Sequence, residues 1–305
     1  MIQIHNVTKT FPSVIALNDL SLTISEGEFF GLLGPNGAGK STLMNLLVGY
    51  IDPDRGKILI RGKKVTRDNL DTRMNIGLVP QSVALYDELS AQDNLEIFGS
   101  FFHIEKKVLL QRIKEQLEAV QLSDRRKDKV KTYSGGMKRR LNLIASILHD
   151  PPLLLCDEPT VGVDPQSRNA IFDYLAMLNK GGKTIVYTTH YMEEVERLCN
   201  RVAIIDSGKV IAEGTVDELL QTLPFEESIS IIKNHVTTEN LGILKTFGSL
   251  VDGEDRYELK PDTQLRLSTF FLTLEQHGIS NKYVELHKPT LEALFLHLTG
   301  RKLRD

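Results

Sequence analysis

The stretch Gly34-Pro35-Asn36-Gly37-Ala38-Gly39-Lys40-Ser41-Thr42 has the spacing G-x-x-x-x-G-K-S, and it constrains this chain more than any other. Before it, Phe29-Phe30-Gly31-Leu32-Leu33 is a short apolar run of buried-strand type. Behind it, Leu43, Leu46 and Leu47 recur at helical spacing, with Asn45 turned aside. Strand, glycine loop and helix in that order form a phosphate cradle. The glycines let the backbone curl so that successive N–H groups face an anion at the positive end of the following helix. Lys40 is then placed to reach the β- and γ-phosphates, and the Ser41 hydroxyl to hold Mg²⁺. An accidental Lys-Ser pair after a glycine-rich turn would not need that strand and that helix. The stretch implies a nucleoside triphosphate site.

Such a loop serves kinases, GTPases and motors alike, and a second segment narrows the choice. Leu153-Leu154-Leu155-Cys156-Asp157-Glu158 puts two acids at the exit of a buried strand, where a carboxylate is costly unless a cation or donors compensate it. Asp157 is the natural holder of Mg²⁺ beside Ser41, and Glu158 is placed to act as general base on the attacking water. A third segment is Tyr133-Ser134-Gly135-Gly136-Met137-Lys138-Arg139-Arg140, followed by Leu141, Ile144, Ala145 and Leu148 on one helical face. Ser134 and the glycines would offer hydroxyl and N–H donors at that helix's start. Lys138, Arg139 and Arg140 fall in its first turn, where each cation opposes the helix dipole by roughly 0.3–1 kcal/mol. They suit either an acidic neighbour or a solvated basic patch.

In chain order, Ile2/Ile4 and Leu22/Ile24 alternate with polar residues, and Lys57–Gly62 and Ile76–Val79 read as further strands. From about Ser82 the pattern turns helical. Ser90-Ala91-Gln92-Asp93 resembles a capping box opening a helix through Leu95, Phe98 and Phe102. Leu109, Ile113, Leu117 and Val120 mark a second helix, and Ser123–Lys131 reads as a solvated connection. After Leu153–Cys156 come a helix around Ile171–Leu178, the strand Thr184–Tyr187, a helix Met192–Leu198, and a hairpin turned at Ser207-Gly208. Strands alternating with helices predict a largely parallel sheet with helical cover. Beyond Gln221–Glu227 the order becomes strand (Ser228–Lys233), helix (Glu239–Phe247), hairpin around Asp252–Asp255, helix (Thr263–Gln276), strand (Lys282–His287) and helix (Thr290–Leu298). That order resembles a split βαβ sandwich.

Composition excludes little but helps. With 305 residues, 41% hydrophobic and 25% charged, the chain reads as an ordinary globular protein of one large or two modest domains. A net charge of −3 provides no overall basic surface for nucleic acid. Two cysteines, Cys156 in an apolar run and Cys199 in an expected helix, suggest neither a disulfide framework nor a zinc site, which fits a reducing setting. No signal-type apolar block stands at Met1–His5, and no run of about 20 apolar residues would span a bilayer. Work at a membrane would require a partner to supply the membrane part.

Together these segments resemble the ATPase subunit of ATP-binding cassette (ABC) transporters, with motifs in the family's order over residues 1 to about 220. Walker A is Gly34–Thr42, the Q-loop glutamine Gln81, the signature Ser134-Gly135-Gly136 and Walker B Leu153–Asp157. Glu158, the D-loop Gly162-Val163-Asp164 and the switch His190 complete the set. The resemblance implies an α/β P-loop NTPase cassette (1–220) with an N-terminal antiparallel β subdomain and an inserted helical subdomain of about 82–150. A small C-terminal α+β accessory domain (221–305) would follow. It implies ATP and Mg²⁺ as ligands. Phe11 falls where an aromatic stacks on adenine, a role any π face can fill, although a core Phe would look the same in sequence. Gln81 would touch Mg²⁺ or the attacking water, although alone it is an ordinary polar residue at a strand end. His190 would hydrogen-bond the γ-phosphate, although a lone His is commonly a satisfied surface residue. Asp164 would act across a dimer of two ATPase copies packed head to tail, each signature closing over the other's phosphate loop. That arrangement in trans rests on the resemblance alone.

Two departures matter. The commonest signature begins with Leu and has Gln after the glycines, where this chain has Tyr133 and Met137. The D-loop has Val163 where Leu is usual. Tyr-Ser-Gly-Gly-Met followed by basic residues is similar to the daunorubicin-resistance-type subgroup, whose ATPases serve separate type-2 exporter permeases. The tail Pro289–Gly300 resembles that subgroup too. The resemblance therefore implies export at the cytoplasmic face of the cell membrane. One alternative is a non-transport ABC ATPase acting on nucleic acid or ribosomes, but those carry two cassettes or long coiled-coil arms. A GTPase is weaker still, since neither Asn179-Lys180 nor Asn281-Lys282 continues into Asn-Lys-x-Asp. A third option, compatible with transport, makes residues 221–305 a ligand-sensing module.

Overall fold

The computed structural model describes residues 1–223, 228–262, 265–287 and 290–299. It divides into two compact units, Met1–Val216 and Asp217–Gly300.

The first unit begins with β1 (Ile2–Phe11), β2 (Val14–Ile24), β3 (Phe29–Leu33), α1 (Lys40–Leu47), β4 (Arg55–Ile60), β5 (Lys63–Lys64), α2 (Leu70–Arg73) and β6 (Ile76–Val79). A helical insertion follows: α3 (Ala91–Ser100), α4 (Lys106–Ala119) and α5 (Gly135–Ala145). The unit ends with β7 (Leu153–Asp157), α6 (Pro165–Lys180), β8 (Thr184–Thr189), α7 (Met192–Leu198), β9 (Arg201–Asp206), β10 (Lys209–Gly214) and the start of α8 (Val216–Gln221). An antiparallel sheet runs β2-β1-β4-β5, and a six-stranded sheet runs β10-β9-β3-β8-β7-β6 with only β10 antiparallel.

Strands β3, β7 and β8 are buried along almost their whole length, as expected of parallel strands covered on both faces. Their period of two divides the core. Phe29, Leu154, Cys156, Ile185 and Tyr187 join the cluster of α5 and α6. Phe30, Leu32, Leu153, Leu155 and Val186 pack with α1 and the antiparallel sheet on the other face. Register then decides where the chemistry sits. Leu33 lies opposite Thr189 and Asp157 opposite Thr188, so three neighbouring strands end at one edge. In such sheets that edge is where ligands bind.

The insertion follows the expected pattern, with two adjustments. Ser90 and Asp93 form the capping box of α3, and Leu109, Ile113 and Leu117 bury the inner face of α4. Helix α3 stops at Ser100, however, and Phe102 stacks on His149 with ring centroids 3.7 Å apart. The segment 123–131 is not a freely solvated connection. Val130 is fully buried, its N–H donates to the Leu89 carbonyl at 2.9 Å, and Glu88 pairs with Lys129 and Lys131.

The second unit holds β11 (Ser228–Ile232), α9 (Thr238–Leu244), β12 (Gly248–Asp252), β13 (Arg256–Pro261), α10 (Leu267–Gln276), β14 (Val284–His287) and α11 (Leu291–Thr299). Its sheet runs β12-β13-β11-β14, antiparallel throughout, which is the split βαβ order. Ile229, Ile231, Leu259, Phe270 and Leu274 form its core. Helix α10 begins at Leu267 rather than Thr263, and residues 263–264 lie outside the described chain, as do 288–289 and 300 in the tail segment.

Candidate functional site

The phosphate loop leaves β3 and enters α1 through positions that only glycine can occupy. A Cβ on Gly34 would lie 2.3 Å from the Ile205 carbonyl. Gly39 has φ +108°, and a Cβ there would meet the Ala16 carbonyl at 2.4 Å. Gly39 caps α1 with no side-chain bond, and the first turn holds no acid, so its N–H groups have no side-chain competitor inside the helix. Lys40 is 4% exposed and donates to the carbonyls of Gly34 (2.7 Å) and Pro35 (3.2 Å). Its ammonium also lies 3.1 Å from Glu158 Oε1.

The carboxylates at the end of β7 converge on the same place. Thr188 Oγ1 donates to Asp157 Oδ1 at 2.7 Å, and Ser41 Oγ approaches the same oxygen at 3.4 Å. Glu158 takes φ +45°, an uncommon conformation for a residue with a side chain. Its N–H is held by Thr188, both hydroxyl (3.0 Å) and carbonyl (3.2 Å). That turn aims its carboxylate at Lys40, at Gln81, whose Nε2 donates to Oε2 at 3.3 Å, and at His190, whose Nδ1 lies 3.4 Å from Oε2. A carboxylate this buried needs such company.

The signature forms a second cluster. Ser134 caps α5, its Oγ accepting from the Met137 N–H at 3.2 Å. A Cβ on Gly136 would strike Ser167 Oγ at 2.1 Å and stand 3.0 Å from Asp164 Oδ2, whereas one on Gly135 would meet nothing. Asp164 caps α6, and hydrogen bonds from Ser167 hold its carboxyl below the ordinary carboxylate range. Ser134, Gly135 and Asp164 are exposed, so the cluster presents an open face. The basic run divides, Lys138 meeting an acidic neighbour and the two arginines meeting backbone carbonyls. Lys138 pairs with Asp87 at 2.7 Å, Arg139 donates to the carbonyls of Gln81 and Val161, and Arg140 to that of Val120 at 2.7 Å. Met137 packs against the core, so Met in place of Gln trades a donor for apolar contact. Phe11 is 38% exposed beside the exposed Val14 and Ile15, so it is not a core residue.

A family profile described as ABC transporter matches residues 17–161. The linearmycin resistance ATP-binding protein LnrL of Bacillus subtilis (strain 168) is 41% identical over 100% of both chains. The chain belongs to the ABC transporter family. The daunorubicin resistance ATP-binding protein DrrA3 of Streptomyces coeruleorubidus is 38% identical over 98% of this ABC subunit and 96% of its own length. Among solved structures, the dimeric bacterial ABC transporter cassette MJ0796 superposes with a TM-score of 0.65 and 30% identity. It covers 70% of this chain and 98% of that one. The protein is thus an ABC-type ATPase that binds ATP. Nothing among these relatives supports a cassette acting on nucleic acid.

Within this ABC subunit the structure brings together the phosphate loop, Gln81, Asp157, Glu158 and His190, and separately Ser134, Gly136 and Asp164. Sequence reasoning passed over Thr188, which orients both acids, and Ser167, which the signature helix packs on. A Thr late in a buried strand and a Ser in a helix's first turn are too common to stand out. No helix among the described residues is long and apolar enough to cross a membrane.

Proposed function

We propose that this chain is the ATP-hydrolysing subunit of an exporter, working in pairs on a separate membrane permease at the cytoplasmic face of the membrane. The observation that carries the reading is the convergence on Glu158 of Lys40, Gln81 and His190, all within 3.4 Å. Lys40 and the N–H groups of Gly34–Thr42 would hold the phosphates, with Phe11 stacked on the base. Glu158 would take the proton of the attacking water, Gln81 would orient that water, and His190 would bond the γ-phosphate. Ser41 Oγ and Asp157 Oδ1, hard oxygens 3.4 Å apart, suit Mg²⁺, and Gln81 would supply a further oxygen to it. Bound there, Mg²⁺ would neutralise charge on the phosphate oxygens. Exposed Ser134, Gly135 and Asp164 would close over the loop of a second copy, as the dimeric cassette suggests. Residues 221–305 would form an accessory domain. Export follows from the resistance functions in the relatives' names. Cells carrying the subunit with its permease should accumulate less of the exported compound than cells carrying Lys40→Ala. Equal accumulation would sink the export reading.

The open face of the signature gives a sharper test of the pairing. Gly136 is packed against its own chain, but a side chain at Gly135 meets nothing, so Ser134→Ala with Gly135→Val should lose only about 1 kcal/mol with the α5 cap, still fold and still bind ATP. ATP-dependent dimerisation, read as mass by light scattering, should be lost. An undiminished dimer would refute the role in trans.

A further inference from the structure

Behind the site lies a buried carboxylate that the reaction scheme leaves unused. Glu194, on α7, is 2% exposed. Its Oε1 accepts from Thr160 Oγ1 at 2.8 Å, and its Oε2 from the Tyr187 hydroxyl at 2.9 Å and Thr189 Oγ1 at 2.7 Å. Arg168 Nε stands 3.9 Å from Oε1. Burial, with the Glu194 charge beside it, pushes the Tyr187 phenol well up, so that hydroxyl remains a donor.

The three donors are not scattered. Thr160 lies two residues past Glu158, and its hydroxyl also meets that of Tyr187 at 3.0 Å. Thr189 immediately precedes His190, and its Oγ1 accepts the Tyr191 N–H at 2.9 Å, so the hydroxyl bound by Glu194 also shapes the turn carrying the histidine. One carboxylate therefore joins the turn after Glu158 to the turn presenting His190, and those two side chains meet at 3.4 Å. An apolar side chain would fill this space without the cost of burying a charge. What it could not do is hold three hydroxyls in fixed directions.

We propose that Glu194 is a positioning residue that sets the mutual geometry of Glu158 and His190. It acts through Thr160 and Thr189. The proposal rests on the roles assigned above to Glu158 and His190. Misplacing a reacting group by about 1 Å can cost on the order of 10²-fold in rate.

The test is steady-state ATP hydrolysis by the full chain. Glu194→Gln keeps the shape but turns one acceptor into a donor. It should lower kcat by roughly 10- to 100-fold, with KM for ATP changed less than about threefold. Thr189→Val should do the same, and Thr189→Ser, which restores the hydroxyl, should recover most of the rate. On a His190→Ala background, Glu194→Gln should cost far less than in the wild type, because the residue it positions is gone. Equal fold-losses on both backgrounds would mean a merely structural role and overturn the proposal. So would near-wild-type kcat in Glu194→Gln and Thr189→Val while Glu158→Gln and His190→Ala each lower turnover strongly. Should Glu158→Gln and His190→Ala themselves retain full turnover, the roles of that pair fall, and this inference with them. If Glu194→Gln fails to fold by thermal melt, the Thr189→Val and Thr189→Ser pair decides the question.

Discussion

Lys40→Ala is expected to bring ATP turnover down to background, a loss on the order of 10³-fold or more. The lysine does two things at once. Its ammonium is the buried cation at the phosphate loop, and by donating to the carbonyls of Gly34 and Pro35 it also holds the loop's curl. Alanine removes the charge that complements the β- and γ-phosphates and the tie that keeps the N–H groups converging. Binding should therefore weaken along with turnover. Loss of one member of a buried ion pair costs about 3–5 kcal/mol in other proteins, so the thermal midpoint should fall even without nucleotide. Phosphate release, fluorescent-nucleotide binding and a melt together read the effect. Wild-type-like hydrolysis in this variant would end the phosphate-loop assignment.

Glu158→Gln should behave differently, losing roughly 10²–10⁴-fold in turnover while ATP binding persists. The amide matches the carboxylate in shape, its one oxygen can still accept from Lys40, and it can sit on the same turn held by Thr188. It cannot take a proton from water. ATP should therefore stay bound and unhydrolysed, and the ATP-dependent dimer should accumulate. Loss of binding with turnover per bound ATP intact would show that Glu158 serves the loop and not the water.

Much of this architecture can be read in the chain because its causes are local. The strand-loop-helix around Gly34–Thr42, the capping box at Ser90–Asp93, and the strand and helix order of residues 228–299 are each set by periodicity and turn chemistry within a dozen residues. Where local reading went astray, a distant contact had intervened. Phe102 leaves its helix to stack on His149, and the charged segment 123–131 is pinned by Leu89 and Glu88. Arg139, open in the sequence to an anion, an acidic neighbour or a solvated patch, instead donates to the carbonyls of Gln81 and Val161.

From residue types and spacing alone came the phosphate loop, the paired acids and the α/β class, since backbone curl, burial and period are properties of short segments. The meeting of Gln81, Glu158 and His190 belongs to the tertiary structure. Those residues come from positions far apart in the chain, and only the register of β6, β7 and β8, a product of non-local strand pairing, brings their turns to one edge. The same pairing sets Thr188 beside Asp157, because a shift of one residue would send that side chain to the opposite face, and helix α7 brings Glu194 to Thr189.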